Sequence, residues 1–226
     1  GGSFGYRWKS LCDYYDIDVD LYEVPFAKDI DYSDLEAKIA LSHPDVFLCQ
    51  QHETSTGQMF NLDKISYICK KYHVSLVVDA ISSFLADPLH MSDLGIDICI
   101  TSSQKGLNIA PGLSFVILSQ NISDMHFASS GYYFDFNENL KNLQRGQTPY
   151  SPATTIFLQL HERLKRNVQI GALFPEFVNV LCFFVLYVIS TIGLFLPKCR
   201  LIASPVFLSI VMAIFFSKNY LIGRFT

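Results

Sequence analysis

The sequence has no block of lysine or arginine anywhere in its 226 residues, and its formal net charge is -4. A chain that binds nucleic acid normally carries a clustered basic face, so DNA and RNA are excluded as partners. It also has no C-x-x-C pair. The six cysteines, Cys12, Cys49, Cys69, Cys99, Cys182 and Cys199, are scattered without a framework. That distribution excludes a disulfide scaffold and a zinc ribbon, and predicts reduced thiols in a cytosolic type of redox setting. After His52-Glu53 the second histidine of H-E-x-x-H is missing, because Thr56 occupies its place. The other histidines, His43, His73, His90, His126 and His161, form no ligand spacing, so no metal site is expected. The opening Gly1-Gly2-Ser3-Phe4-Gly5 has no initiator methionine, basic n-region or apolar h-region. No signal peptide is therefore expected, and the chain is expected to begin inside a longer protein. Nor does a lysine follow those glycines at Walker spacing, which argues against a nucleotide loop.

What the sequence does have is a large apolar share, 50% of its residues, enough for a sizeable core. Composition changes near Gly171. Residues 1–170 alternate helical and strand-like patterns with ordinary charge, whereas residues 171–226 are almost wholly apolar, and the two are treated as separate regions. In the first region Tyr32 to Leu41 reads as a helix, with Ser33 as N-cap and Glu36 at capping-box spacing, ended by Pro44. Val46 to Cys49 is an apolar run of the kind buried on both faces of a sheet. Leu62, Ile65, Ile68 and Cys69 fall at helical spacings over Leu62 to Tyr72, with Lys70 and Lys71 in the last turn. Val74 to Val78, Ile96 to Ile100 and Leu113 to Leu118 read as further strands. Strands separated by helical stretches imply crossover connections, hence an α/β domain with a mainly parallel or mixed sheet and helices on both faces.

Ligands in such sheets sit beyond the carboxyl ends of the strands. Three polar clusters fall at such ends: Gln51 to Gly57, Asp79 to Ser83, and Thr101 to Gly106. Asp79 follows Leu76-Val77-Val78, so its carboxylate stands where the strand leaves the core, with Ser82 and Ser83 as neighbours able to hydrogen-bond it. Taken alone it reads equally well as a helix cap or turn residue. Lys105 lies among small hydroxyl residues after the next strand. Burial there would lower its pKa and free a neutral amine for imine formation, although a lone loop lysine is usually a solvated charge.

The stretches Glu53-Thr54-Ser55-Thr56-Gly57, Val78-Asp79-Ala80-Ile81-Ser82-Ser83, Ser102-Ser103-Gln104-Lys105-Gly106 and Ala110-Pro111-Gly112-Leu113-Ser114-Phe115 together resemble the class V aminotransferases of fold type I. The likeness is greatest to the alanine-glyoxylate and serine-pyruvate group and the 2-aminoethylphosphonate-pyruvate transaminases, and it runs from Gly1 to about Arg166. It implies part of the large domain of a pyridoxal 5'-phosphate enzyme. In that reading Lys105 is the Schiff-base lysine and proton shuttle, and Asp79 keeps the pyridine nitrogen protonated. Ser55 contacts the phenolic oxygen and Gln104 the phosphate. Thr148 and Ser151, in Gln147-Thr148-Pro149-Tyr150-Ser151-Pro152, reach the phosphate of the neighbouring subunit, which implies a homodimer. Gly5 and Arg7 match a glycine-rich helix opening of structural role. The aromatic stretch Tyr132 to Phe136 becomes a strand or helix entry near the site. The family's phosphate-cradling glycine turn and its ring-stacking aromatic fall upstream of Gly1, and its carboxylate-binding arginine falls in a small C-terminal domain.

The implied reaction is amino transfer from a small amino acid or aminophosphonate to a 2-oxo acid, pyruvate or glyoxylate, in a cytoplasmic parent enzyme. Two alternatives stay open: a cysteine desulfurase or lyase built on the same lysine and aspartate, and an inactive membrane-tethered relative. The last rests on the tail. Phe177 to Leu196 carries no formal charge and is long enough to span a bilayer as a helix, and Leu201 to Phe216 adds a second run. The stretch 177–216 is thus a membrane hairpin, an aberrant C-terminus, or a buried apolar segment.

Overall fold

The computed structural model describes residues 2–123, 125–127, 132–169 and 201–204. Along the chain these form α1 (Ser3–Tyr14), α2 (Tyr32–Ser42), β1 (Val46–Gln50), β2 (His52–Glu53), β3 (Gln58–Met59), α3 (Leu62–Tyr72) and β4 (Ser75–Asp79). There follow α4 (Met91–Leu94), β5 (Ile98–Ser102), β6 (Ser114–Leu118), α5 (Gln120–Ser123), α6 (Phe136–Gln144), α7 (Thr154–Gln169) and β7 (Leu201–Ser204).

Five strands make one mixed sheet in the order β1-β4-β5-β6-β7, and β2 and β3 form a separate two-residue ladder. β1, β4 and β5 run parallel, while β6 is antiparallel to β5 and β7 antiparallel to β6. Parallel neighbours need a crossover; α3 supplies the one between β1 and β4. The connection from β5 to β6 holds no helix and returns the chain antiparallel.

Side chains alternate across β4, and the alternation divides the core. Leu76 and Val78 enter the cluster covered by α2, α3 and α7, with Leu35, Ile39, Ile65, Phe115 and Leu160. Val77 faces the other way, toward Trp8 and Cys12 of α1 and Phe136 of α6. Helices therefore cover both faces, as the pattern predicts. β4, β5 and β6 are buried almost throughout, which accounts for their unbroken apolar runs. β1 differs from its expectation: Val46, Phe47 and Leu48 are only half-buried, because β1 lies at the edge of the sheet.

Capping corrects one further expectation. The N-cap of α2 is Asp31, not Ser33: its Oδ1 accepts from the backbone N–H groups of Ser33 at 3.0 Å and Asp34 at 3.1 Å. Ser33 already lies inside the first turn, so its own amide is one of the groups that needs a partner. α3 matches its predicted span. Asn61 accepts from the Lys64 amide at 3.0 Å, and Leu62, Ile65, Ile68 and Cys69 are buried. The strands after it are shifted: β4 begins one residue later than the apolar run suggests, and β5 two, so each extends into its polar cluster.

The apolar run Phe177 to Leu196 lies outside the described residues. Of Leu201 to Phe216 only the first four residues are described, and they pair as a strand with β6 instead of continuing a helix. Among the described residues no helix is long and apolar enough to cross a membrane.

The two capping assignments for α2 differ in a measurable way. Asp31→Ala should lower stability by about 1 kcal/mol in urea unfolding, whereas Ser33→Ala should stay within about 0.5 kcal/mol. Equal losses would restore Ser33 as the cap.

Candidate active site

Because β1, β4 and β5 are parallel, their carboxyl ends reach the same side of the sheet, and the three polar clusters meet there. The Gln51 amide donates to Asp79 O at 3.0 Å, and the Ala80 amide to Ile100 O at 2.8 Å, so the loops leave the sheet in register. The Thr54 and Ser82 hydroxyls lie 2.6 Å apart. Lys105 Nζ donates to Ser82 Oγ at 3.3 Å. Between them is a cavity of about 230 Å³ whose lining includes Asp79, Lys105, Gln104, Thr54, Ser82 and Phe4, with Arg7, His52 and Ile81 completing it. A larger hollow, about 620 Å³, runs between α1, residues 16–24, α2 and β1, but is mainly apolar and holds neither Asp79 nor Lys105.

Asp79 is 6% exposed at the last paired position of β4, opposite Gln50 and Ile100. Its Oδ1 accepts from the Ile81 amide at 2.9 Å. Ser82 and Ser83 do not bond it: Ser82 turns to Thr54 and Lys105, and the buried Ser83 hydroxyl has no partner among the described residues. Burial pushes the Asp79 carboxyl up to about 6, with Glu53 adding to the rise; the Ile81 amide, Lys105 and Arg7 oppose it. Lys105 is exposed, against the expectation of a buried amine, because it sits on the turn beyond the strand end. That turn packs tightly against the one after β4. A Cβ on Gly106 would stand 1.9 Å from the carbonyl oxygen of Phe84, so only glycine permits the approach that brings Lys105 beside Ser82.

The remaining sequence-derived residues divide. Gln104 lines the cavity. Ser55 does not: its hydroxyl donates to Glu53 Oε1 at 2.6 Å and accepts from the Ser3 amide at 3.0 Å, and Thr54 is the hydroxyl residue of that loop on the cavity wall. Thr148 bonds the Tyr150 carbonyl at 2.6 Å, Ser151 is exposed, and neither lines the cavity of this chain. Besides Ile81 and Ser82, four lining residues were not assigned to the site from sequence. Phe4 supplies an aromatic wall, Arg7 sits over the Phe4 ring at 4.9 Å, and His52 Nε2 lies 2.8 Å from Asp87 Oδ2. Thr54 is the fourth. Arg7 thus lines the cavity as well as belonging to the helix opening, and Phe4 places an aromatic ring within the chain, downstream of where one was expected. Among the described residues no group of three His, Cys, Asp or Glu side chains gathers as a metal site.

The Asp79 carboxyl generates a pH test. Its native pKa, about 6, exceeds the ordinary 3.8, so the folded state binds the proton more tightly than the unfolded state between those values. Stability is highest below about pH 4 for this group and declines as pH rises through 6, by on the order of 2–3 kcal/mol. Asp79→Asn should remove that decline in the cofactor-free protein, leaving it more stable than wild type at pH 7.5 but not at pH 4. Parallel decline in both proteins would show that another group is responsible.

Comparison with known proteins identifies the family. Residues 4–150 match the family model described as aminotransferase class-V. A 2-aminoethylphosphonate--pyruvate transaminase from Burkholderia lata is 30% identical over 158 residues, covering 68% of this chain and 43% of that protein. The small subunit of a soluble hydrogenase from Synechococcus sp. is 29% identical over 170 residues, covering 73% and 44%. Among solved structures, a ureidoglycine-glyoxylate aminotransferase from Bacillus subtilis superposes with a TM-score of 0.69 at 23% identity, covering 75% of this chain and 45% of that one. The chain thus spans under half the length of these relatives, and within that span it belongs to the class V aminotransferase family, with the α/β fold of the fold type I pyridoxal-phosphate enzymes.

Proposed function

We propose that this chain is the cofactor-binding part of an enzyme that transfers an amino group from a small amino acid or aminophosphonate to a 2-oxo acid such as pyruvate or glyoxylate. One observation carries the reading: a buried acid, Asp79, and a lysine, Lys105, from adjacent strand ends line one small cavity with an aromatic ring, Phe4. Those groups suit pyridoxal phosphate, which needs an amine for its carbonyl, an acid for its ring nitrogen, a flat wall for its ring and polar donors for its oxygens. When bound, that group supplies an electrophilic carbonyl carbon and a ring that takes up the electron pair left when a substrate Cα–H bond breaks.

The residues then divide the work. Lys105 would hold the cofactor through Nζ and, as a released amine, would carry the proton between the substrate Cα and the former carbonyl carbon. Asp79 keeps a proton on the ring nitrogen. Burial makes its own charge costly in the empty cavity, and a cationic N–H beside it offsets that cost. Phe4 covers the ring face and keeps water from it. Thr54, in place of Ser55, presents its hydroxyl to the phenolic oxygen, and Gln104 presents its amide to the phosphate. Thr148 and Ser151 act across the interface of a homodimer, on the partner's cofactor. The aminophosphonate option is supported by the name of the Burkholderia relative, and a cytoplasmic setting by the four free cysteines among the described residues.

Desulfuration of cysteine is a weaker reading. It needs an accessible nucleophilic thiol, whereas the four cysteines among the described residues, Cys12, Cys49, Cys69 and Cys99, are buried, and burial pushes all four thiols up.

Incubation with pyridoxal phosphate followed by borohydride should fix a phosphopyridoxyl group on the peptide containing Lys105, read by mass spectrometry. Lys105→Ala should lose the label and all amino transfer, whether from alanine to glyoxylate or from 2-aminoethylphosphonate to pyruvate. Equal labelling of wild type and variant would end the assignment.

A further inference from the structure

Glu53 is a buried acid that the proposed chemistry does not use. It is 0% exposed, in β2, next to the residue that lines the cavity. Its carboxylate sits within a shell of donors: the Ser55 hydroxyl at 2.6 Å, Gln50 Nε2 at 2.8 Å, and the backbone N–H groups of Ser55 at 3.0 Å, Gly5 at 3.1 Å and Phe4 at 3.5 Å. The last two belong to the first turn of α1, a helix of 12 residues whose own N-cap position, Gly2, offers no side-chain bond. Ser55, bonded to Glu53, accepts from the Ser3 amide at 3.0 Å. The open amides of that turn are thus met by a loop some fifty residues away, and a negative charge stands at the positive end of the helix. Close approach is built in. A Cβ on Gly2 would lie 2.4 Å from Glu53 Cδ and 2.5 Å from Ser55 Oγ, and a Cβ on Gly5 3.2 Å from Gln50 Nε2.

We infer that Glu53 is a positioning residue: by clamping the first turn of α1 it holds Phe4, and one turn on Arg7, in the wall of the cofactor cavity. The backbone of Phe4 is held by Glu53 while its ring lines the cavity, so the clamp acts one residue from the surface it positions. Burial raises the Glu53 carboxyl, but the Ser55 hydroxyl and the amides of Ser55, Gly5 and Phe4 outweigh it and hold the group below its usual range. An ionised clamp is the consequence. An amide in its place would turn donors toward donors. The inference rests on the reading that the cavity takes pyridoxal phosphate, and its test separates the two.

Trp8, the single tryptophan, is 4% exposed on α1 and reports whether the helix is seated. In cofactor-free Glu53→Gln, acrylamide should quench Trp8 fluorescence more readily than in wild type, with the urea midpoint recorded alongside to confirm a folded chain. Affinity for pyridoxal phosphate, followed by its absorbance, should fall about tenfold, the scale of a lost charged hydrogen bond. In a Phe4→Leu background the same substitution should cost less than about twofold, because the ring it chiefly positions is gone and only Arg7 remains to be displaced. Equal losses in both backgrounds, or unchanged quenching and affinity, would overturn the clamp. If Glu53→Gln does not fold, Ser55→Ala and Gln50→Met remove single donors and are read the same way. A wild-type protein that takes up no pyridoxal phosphate would defeat the cofactor reading, while Trp8 quenching would still decide the clamp.

Discussion

The parallel pairing of β1, β4 and β5 is the constraint on which the site depends. A parallel ladder sends every carboxyl end to one side of the sheet, so loops distant in sequence must share the space beyond it. The register does the rest. Gln50, Asp79 and Ile100 are partners across the three strands, and the residues just past them, Thr54, Ser82 and Lys105, touch through their side-chain heads. A one-residue slip would turn Asp79 from the cavity into a layer of aliphatic side chains, where a carboxylate has no partner. The unbroken apolar cores of β4 and β5 oppose such a slip weakly, since both faces are buried. The polar residues at their ends oppose it strongly.

Two effects compete at Asp79. Removing the carboxylate from water raises its pKa; the amide of Ile81 and the cations of Lys105 and Arg7 lower it. The outcome, about 6, shows that burial prevails while both cations stay near solvent. Exposed charges act through a high local dielectric and contribute little over several ångströms. A cation held inside the cavity, against the carboxylate, would act through a lower one. An acid in this position is disfavoured alone, and the ring nitrogen of the proposed cofactor would supply such a cation.

Much of this was legible in the residues. Periodicity identified α3 to the residue and the existence of the buried strands, because those elements are decided by which side chains leave water. Strand-end reasoning brought Asp79 and Lys105 together for the same reason. What escaped it was local. Ser33 and Asp31 are both good caps, and only backbone geometry distinguishes the residue before the first turn from one inside it. Val46 to Leu48 look like an interior strand because apolarity does not record whether a strand has one neighbour or two.

The hydroxyl run Thr54-Ser55-Thr56 illustrates a deeper limit. Three adjacent residues carry the same functional group, so composition cannot say which of them faces the cavity. The turn decides, and the turn is decided by Glu53, whose carboxylate draws the Ser55 amide and hydroxyl toward α1 and leaves Thr54 on the other side, bonded to Ser82. Phe4 follows from the same acid. In the sequence it is an aromatic between Ser3 and Gly5, with nothing near it to suggest a ligand wall; only a contact across some fifty residues puts it there. Side chains whose position depends on a buried charge elsewhere become readable once that charge has been placed, which is why the acid and amine could be found first and the residues around them could not.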